Sequence, residues 1–118
     1  MDTDFGDYIR TLREERREGD ASFSVRQVAA RVGVEPSYLS KVERGQVAPP
    51  SEATIKRLGA VLATDPDVLL ALAGKLSTDL KEIICKRPQL VAELIRQIRD
   101  LPDHAMVKLV REVRDGSW

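Results

Sequence analysis

The sequence predicts an all-α fold, and two observations support this prediction. Apolar residues recur three and four positions apart along nearly all of the 118-residue chain, which is the spacing of amphipathic helices. Alternating apolar and polar runs are missing, as are Asn-Gly or Asp-Gly turns between apolar runs, which are the usual signals of strands and hairpins. We therefore expect short helices joined by tight turns.

The first helix is predicted from Asp4 to Glu18, and a loop from Glu18 to Ser22 follows it. Its apolar residues have the i, i+3, i+4, i+7 spacing of one buried face. The residues of this face are Phe5, Tyr8, Ile9 and Leu12.

The second helix is predicted to begin after Ser24, because Ser24 and Gln27 form the Ser-x-x-Gln pattern of a capping box. Gly33 is expected to end this helix. The residues that share its apolar face are Val25, Val28, Ala29 and Val32.

Three further helices are bounded by proline, glycine and capping residues. The third opens at Pro36, because a first-turn proline lacks only an N–H group that has no partner within the helix, and it closes at Gly45. After the rigid turn Pro49-Pro50, Ser51 caps the fourth helix, whose stripe is Ile55, Leu58 and Leu62. Asp65-Pro66 starts the fifth helix, with Val68, Leu69 and Leu72 on its apolar face and Gly74 at its end. These helices define a predicted domain over residues 1–76.

Residues 77–118 are predicted to be a helical extension, because about forty residues are too few for a self-sufficient core. Pro88 and Pro102 separate its apolar stripes, and residues 115–118 are expected to fray. The stripes are Leu80, Ile83 and Ile84; Leu90, Val91, Leu94, Ile95 and Ile98; and Met106, Leu109, Val110 and Val113. A second copy of the chain is the favoured cover for them, and packing within the chain or binding of another protein are the alternatives.

Composition restricts the class of protein. Lys and Arg number 19 and Asp and Glu also number 19, so any site for a polyanion must be local. The single Cys85 and the single His104 can form neither a disulfide within the chain nor a closed Cys/His zinc site. The amino terminus is acidic, and the longest apolar run is far shorter than the roughly 20 residues of a membrane helix. We expect a cytoplasmic protein.

Catalytic patterns are weak. Lys86 and Arg87 beside Cys85 could lower a thiol pKa, but a half-buried structural cysteine is the favoured interpretation. His104 has no recognisable nucleophile nearby, and neither a Gly-rich phosphate loop nor a His-Glu-x-x-His pattern occurs. We expect no enzyme activity, no cofactor and no metal.

The second and third helices, joined by Gly33-Val34-Glu35, have the lengths and tight connection of a helix-turn-helix. The string from Ser24 to Val34, followed by Pro-Ser-Tyr-Leu-Ser-Lys-Val-Glu-Arg-Gly, resembles the lambda-repressor-like, or Xre, helix-turn-helix family. The resemblance extends over Phe5 to Gly74 and implies a five-helix DNA-binding fold. It also implies that Glu43 pairs with Arg13, a structural role. Val25 stands where some phage repressors carry a DNA-contacting Gln.

The third helix has an outward face that suits DNA. At about 100° per residue, Val42 and Glu43 lie on the side of Leu39. The opposite side carries Ser37, Lys41 and Arg44, whose hydroxyl and cations can bind base edges or phosphates. The predicted DNA-binding residues are Arg26, Pro36, Ser37, Tyr38, Lys41 and Arg44, with Arg26 holding a phosphate at the start of the second helix.

These observations predict a sequence-specific regulator of transcription that binds double-stranded DNA, with repression favoured. Between Arg10 and Gly45 there are eight cations and six anions, so a single copy should bind weakly and a homodimer on a near-palindromic operator is expected. The alternative is an antitoxin or protein-interaction module, in which the C-terminal helices bind a partner protein and DNA binding is autoregulatory.

Overall fold

A computed structural model of the protein describes the backbone of residues 2–116 and 118, and side chains from Phe5 onward within that range. The described part is all-helical, which confirms the predicted fold class. Its α-helices are α1 (Asp2–Arg17), α2 (Val25–Val32), α3 (Pro36–Glu43), α4 (Glu52–Leu62), α5 (Pro66–Leu72), α6 (Thr78–Lys86), α7 (Pro88–Ile98) and α8 (Asp103–Asp115).

The chain divides into two compact units, one ending at Ser77 and the other beginning at Thr78. In the first unit, α1 packs against α3 and α5, while α2 packs against α3 and α4. A 3-10 turn, Ala21–Phe23, lies within the stretch expected to be a loop and packs against α1 and α2. These contacts enclose one apolar core. Its buried members are Phe5, Ile9, Val28, Ala29, Val32, Leu39, Val42, Ile55, Leu58, Leu62, Leu69 and Leu70.

The start of α2 has only one of the two hydrogen bonds of the predicted capping box. Ser24 Oγ accepts the Gln27 N–H at 3.2 Å, as expected. The reciprocal bond from Gln27 is replaced, because the Ser24 N–H donates to the Ala21 carbonyl at 3.2 Å and so closes the 3-10 turn. The prediction of a full box is therefore wrong, although the helix start is confirmed.

Two residues predicted to be buried are exposed. On α1 the buried side runs through Phe5, Gly6, Ile9 and Arg13, an arc of about 100° that leaves Tyr8 outside it. Gly6 explains why this side of α1 is the buried one. α3 approaches it so closely that a Cβ at Gly6 would lie 2.4 Å from the Val42 carbonyl oxygen.

On α5 the buried side is formed by Leu69 and Leu70, which face the core that α5 shares with α4 and α1. Val68 lies about 150° from the middle of that side and is exposed, contrary to the prediction.

The second unit contains α6 to α8, and none of the residues described in these helices is buried. Its α6 packs against α7. α8 extends through Asp115 and is capped by Gly116 in the left-handed conformation, while Ser117 lies outside the described residues. The expected fraying of residues 115–118 stays a prediction. The large apolar side chains that remain exposed in this unit are Ile83, Leu90, Leu94, Ile95, Leu101, Val107, Val110, Val113 and Trp118.

Candidate nucleic-acid interface

A tight turn fixes the direction in which α3 leaves α2. Gly33 has φ 87°, a left-handed conformation that glycine adopts without steric cost, and the N–H groups of Gly33 and Val34 both donate to the Ala29 carbonyl. Arg57 of α4 donates from Nε to the Val32 carbonyl at 2.8 Å and so satisfies another carbonyl at this helix end. The turn is therefore held by backbone bonds and by a side chain from α4.

α3 is anchored through its inward face. Leu39, Val42 and Glu43 are buried, and Glu43 accepts two hydrogen bonds from Arg13 of α1, at 2.7 Å from Nε and 2.9 Å from the terminal nitrogen. These hydrogen bonds are the main cause of a raised pKa at Arg13. The pairing implied by the family resemblance is confirmed, and it is a link between α1 and the last residue of α3.

The opposite face of α3 is open to solvent. Pro36, Ser37, Lys41 and Arg44 are exposed, and Tyr38 is half-buried beside them. In the first unit's described side chains, neither Lys41 nor Arg44 has a hydrogen-bonding or ion-pairing partner. These cations are therefore available to an external anion or to base edges.

Arg26 occupies the second position of α2 and is also exposed, with no partner among the residues that are described. The positive end of the helix dipole lies at the same place, because the first N–H groups of a helix have no partners within it. The structure thus places the predicted DNA-binding residues on α2, on α3 and, for Arg44, at the residue that caps the end of α3. Whether they contact DNA stays a prediction.

Two residues considered in the sequence, Cys85 and His104, lie outside this surface. Cys85 is exposed, so the predicted half-burial is wrong, and His104 is exposed as well. Within the described residues there is no cluster of His, Cys, Asp or Glu suited to a metal ion. No helix in that part of the chain has the length and apolar content needed to span a membrane.

A short helix crossing to a second helix through a left-handed glycine, with unpaired cations on the outer face of the second, defines a helix-turn-helix protein. The chain belongs to the helix-turn-helix domain family, whose model matches residues 4–72. The lambda-repressor-like resemblance is consistent with this assignment.

Three curated relatives have a similar sequence. The uncharacterized HTH-type transcriptional regulator RghRB of Bacillus subtilis is 37% identical over 79 residues, which are 67% of this chain and 53% of the relative. The HTH-type transcriptional repressor RghR of Bacillus subtilis is 37% identical over 70 residues, 59% of this chain and 48% of the relative. The uncharacterized HTH-type transcriptional regulator Rv0474 of Mycobacterium tuberculosis is 39% identical over 69 residues, 58% of this chain and 45% of the relative.

The matched segments span about half the length of these relatives. No solved structure matches the chain significantly.

Proposed function

We propose that the protein is a transcriptional regulator that binds double-stranded DNA in a sequence-specific manner and acts in the cytoplasm. The observation that carries this proposal is the construction of α3. Its inner face is fixed to α1 by the Arg13–Glu43 pair, while Lys41 and Arg44 point outward without partners. A rigid helix with free cations on one face is what insertion into the major groove requires.

Each residue of the proposed DNA-binding surface has a role that follows from its chemistry. Lys41, Arg44 and Ser37 bind base edges in the major groove, and Pro36 makes apolar contact with a thymine methyl group. Arg26, at the start of α2, and Tyr38, at the edge of α3, hold the phosphate backbone. Phosphate contacts set the position on DNA, and base contacts set the sequence preference.

Repression is the favoured regulatory outcome. The name of RghR, one of the similar proteins, describes it as a transcriptional repressor. A protein that occupies a promoter through one rigid helix-turn-helix domain can repress by exclusion alone, without any contact to polymerase. Because this route needs no additional contact surface, it supports repression over activation.

A homodimer is the proposed active form, with residues 77–118 as its association segment. α7 exposes Leu90, Leu94 and Ile95, with 69%, 51% and 53% of their surfaces accessible. A second copy would cover these side chains and bring two α3 helices to half-sites related by two-fold symmetry. Binding of a different protein by the same face would instead fit an antitoxin.

The DNA proposal can be tested with duplexes that the wild-type protein selects from a random-sequence library. Lys41→Ala and Arg44→Ala should each weaken binding to a selected duplex by about 1 to 3 kcal/mol and relax its sequence preference. Arg26→Ala should weaken selected and scrambled duplexes by similar factors.

Lys56→Ala is the matched control for these variants. Lys56 lies on α4 and is ion-paired with Glu52 at 3.1 Å, so its removal should leave affinity unchanged. Circular dichroism would verify that every variant keeps its helices. Unchanged affinity of a Lys41→Ala/Arg44→Ala double variant at matched salt would refute the assigned recognition face.

A further inference from the structure

Most cations of the first unit are already engaged within the protein. Arg13, Arg17 and Lys56 form ion pairs with glutamates. Carbonyl oxygens accept hydrogen bonds from Arg16, Arg31, Arg57 and Lys75. Within the side chains described for this unit, the cations without such a partner are Arg10, Arg26, Lys41 and Arg44.

Three of these four residues belong to the proposed DNA-binding surface, and Arg10 is the exception. It lies on α1 and is exposed. It lines a groove of about 190 Å³ together with Ser40 of α3 and Arg44, the residue that caps α3. Val25, the first residue of α2, also lines this groove. Arg10 and a residue of the predicted recognition face therefore flank one opening.

Two glutamates line this groove, and both are paired with arginines. Glu43 is neutralised by its two hydrogen bonds to Arg13. Glu14 lies 3.0 Å from Arg13 and 3.9 Å from Arg17, so its charge is also compensated. Arg10 and Arg44 line the groove without an ion-pair partner among the described side chains, and the positive end of the α2 dipole lies beside them. On its other side Arg10 borders a second groove lined by Asp7, Glu14, Glu15 and Glu18, so the two unpaired cations come together only in the groove shared with α3.

We infer that Arg10 is a further DNA contact, which binds a backbone phosphate in this groove opposite Arg44. The inference rests on the proposed function. A phosphate of DNA fits better than a free anion, because the groove continues into the face that carries Lys41 and Arg44. An arginine on α1 would thereby fix the angle at which α3 enters the major groove, since α1 and α3 are joined by the Arg13–Glu43 pair.

The test compares Arg10→Gln with Arg10→Lys and with Arg16→Gln. Arg16 lies on the same helix and donates to the Leu12 carbonyl of that helix at 3.2 Å, so its replacement removes the same charge away from the groove. Binding would be measured by fluorescence anisotropy with a library-selected duplex and a scrambled duplex, at salt concentrations from about 50 to 200 mM.

Arg10→Gln should weaken binding to both duplexes by roughly five- to tenfold and reduce the slope of log affinity against log salt by about 0.9. Arg10→Lys should keep the slope, and Arg16→Gln should behave like wild type. Because Arg10 is exposed and unpaired, the thermal midpoint should not change in Arg10→Gln or Arg10→Lys.

The outcomes separate this inference from the proposed function. If Arg10→Gln matches Arg16→Gln while Lys41→Ala loses affinity for the selected duplex, the role of Arg10 is refuted and the proposed function stands. A fall in affinity for the selected duplex alone would make Arg10 a base contact and would also refute the phosphate assignment. If the wild-type protein binds neither duplex, both proposals fail.

Discussion

Gly6 of α1 lies against the backbone of α3, and a Cβ at Gly6 would lie 2.4 Å from the carbonyl oxygen of Val42. The carbonyl oxygen and carbon of Glu43 would be 2.7 and 3.0 Å away. These are backbone atoms, so a side-chain rotation cannot relieve the overlap. The absence of a side chain at Gly6 therefore allows the close packing of α1 on α3, which in turn places Arg13 within reach of Glu43.

Gly6→Ala should lower the free energy of unfolding by about 1 to 3 kcal/mol, because the added methyl group forces α1 and α3 apart. The better helix propensity of alanine, about 1 kcal/mol, offsets only part of this loss. Urea denaturation would measure the change. Gly19→Ala is the control, because a Cβ at Gly19 would meet no atom within 4 Å. Equal stability of the two variants would contradict the close-packing explanation.

The Arg13–Glu43 pair predicts a second stability effect. Glu43→Gln removes the buried carboxylate partner of a guanidinium that is only 3% exposed and leaves it with the half-exposed Glu14, so it should cost up to about 3 to 5 kcal/mol in free energy of unfolding. Arg96→Ala breaks an exposed pair with Glu93, at 3.5 Å, and should cost less than about 1 kcal/mol.

A double variant, Arg13→Met/Glu43→Leu, tests the cause of that loss. If the buried guanidinium without its buried carboxylate partner is responsible, replacing both Arg13 and Glu43 with apolar side chains should restore much of the stability that Glu43→Gln loses. A double variant as unstable as Glu43→Gln would show instead that the loss of the hydrogen bonds between the two side chains, rather than the buried charge, lowers the free energy of unfolding. Urea midpoints and slopes for all the variants would distinguish these results.

The sequence predicted features that depend on local chemistry. Ser24, Gly33, Pro36 and Ser51 marked helix ends correctly, because a cap, a left-handed residue or a missing N–H acts within one turn of its own helix. The burial of Tyr8 was predicted wrongly because the buried side of α1 depends on how closely α3 approaches. That approach involves residues more than thirty positions away in the chain.

The sequence did not single out Arg10, the phosphate contact that we infer, for a similar reason. Asp7 and Glu14 lie three and four positions from it, at spacings that normally indicate pairing along a helix. In the fold, Glu14 instead binds Arg13 and Arg17. Whether a surface cation is free therefore depends on the tertiary structure, whereas its position on a helix face can be read from the sequence.

Asp20 should make stability depend on pH. Hydrogen bonds from Ser22, including one from its backbone N–H at 2.9 Å, lower the pKa of the Asp20 carboxyl. Because the folded-state pKa lies below the unfolded-state value of about 3.9, the stabilisation is complete above that value and is lost as pH falls through the folded-state pKa.

Asp20→Asn keeps a hydrogen-bond acceptor but removes this titration. The difference in thermal midpoint between wild type and Asp20→Asn should therefore be larger at about pH 6 than below about pH 3. Thermal melts followed by circular dichroism at both pH values would measure it. A constant difference across this range would mean that the Asp20 charge does not contribute to the 3-10 turn.

The proposed dimer predicts a change in assembly without loss of folding. Leu94 is 51% exposed and Ile98 is half-buried on the apolar face of α7, so Leu94→Asp/Ile98→Asp places two charges where a second copy would pack. The variant should keep its helix-turn-helix unit, sediment as a monomer and shift DNA only at much higher protein concentration. Gln89→Asp adds a negative charge at an exposed position on the opposite side of α7 and should remain dimeric.

Sedimentation of the wild-type protein at micromolar concentration, alone and with a selected duplex, tests the premise of this prediction. A two-fold dimer gains affinity because binding of one half-site raises the effective concentration of the second α3 helix at the other half-site. A wild-type protein that stays monomeric in both conditions would rule out the dimer. If such a monomer instead co-purifies with the product of a neighbouring gene, and loses that partner in the Leu94→Asp/Ile98→Asp variant, the exposed face of α7 serves the antitoxin-like alternative.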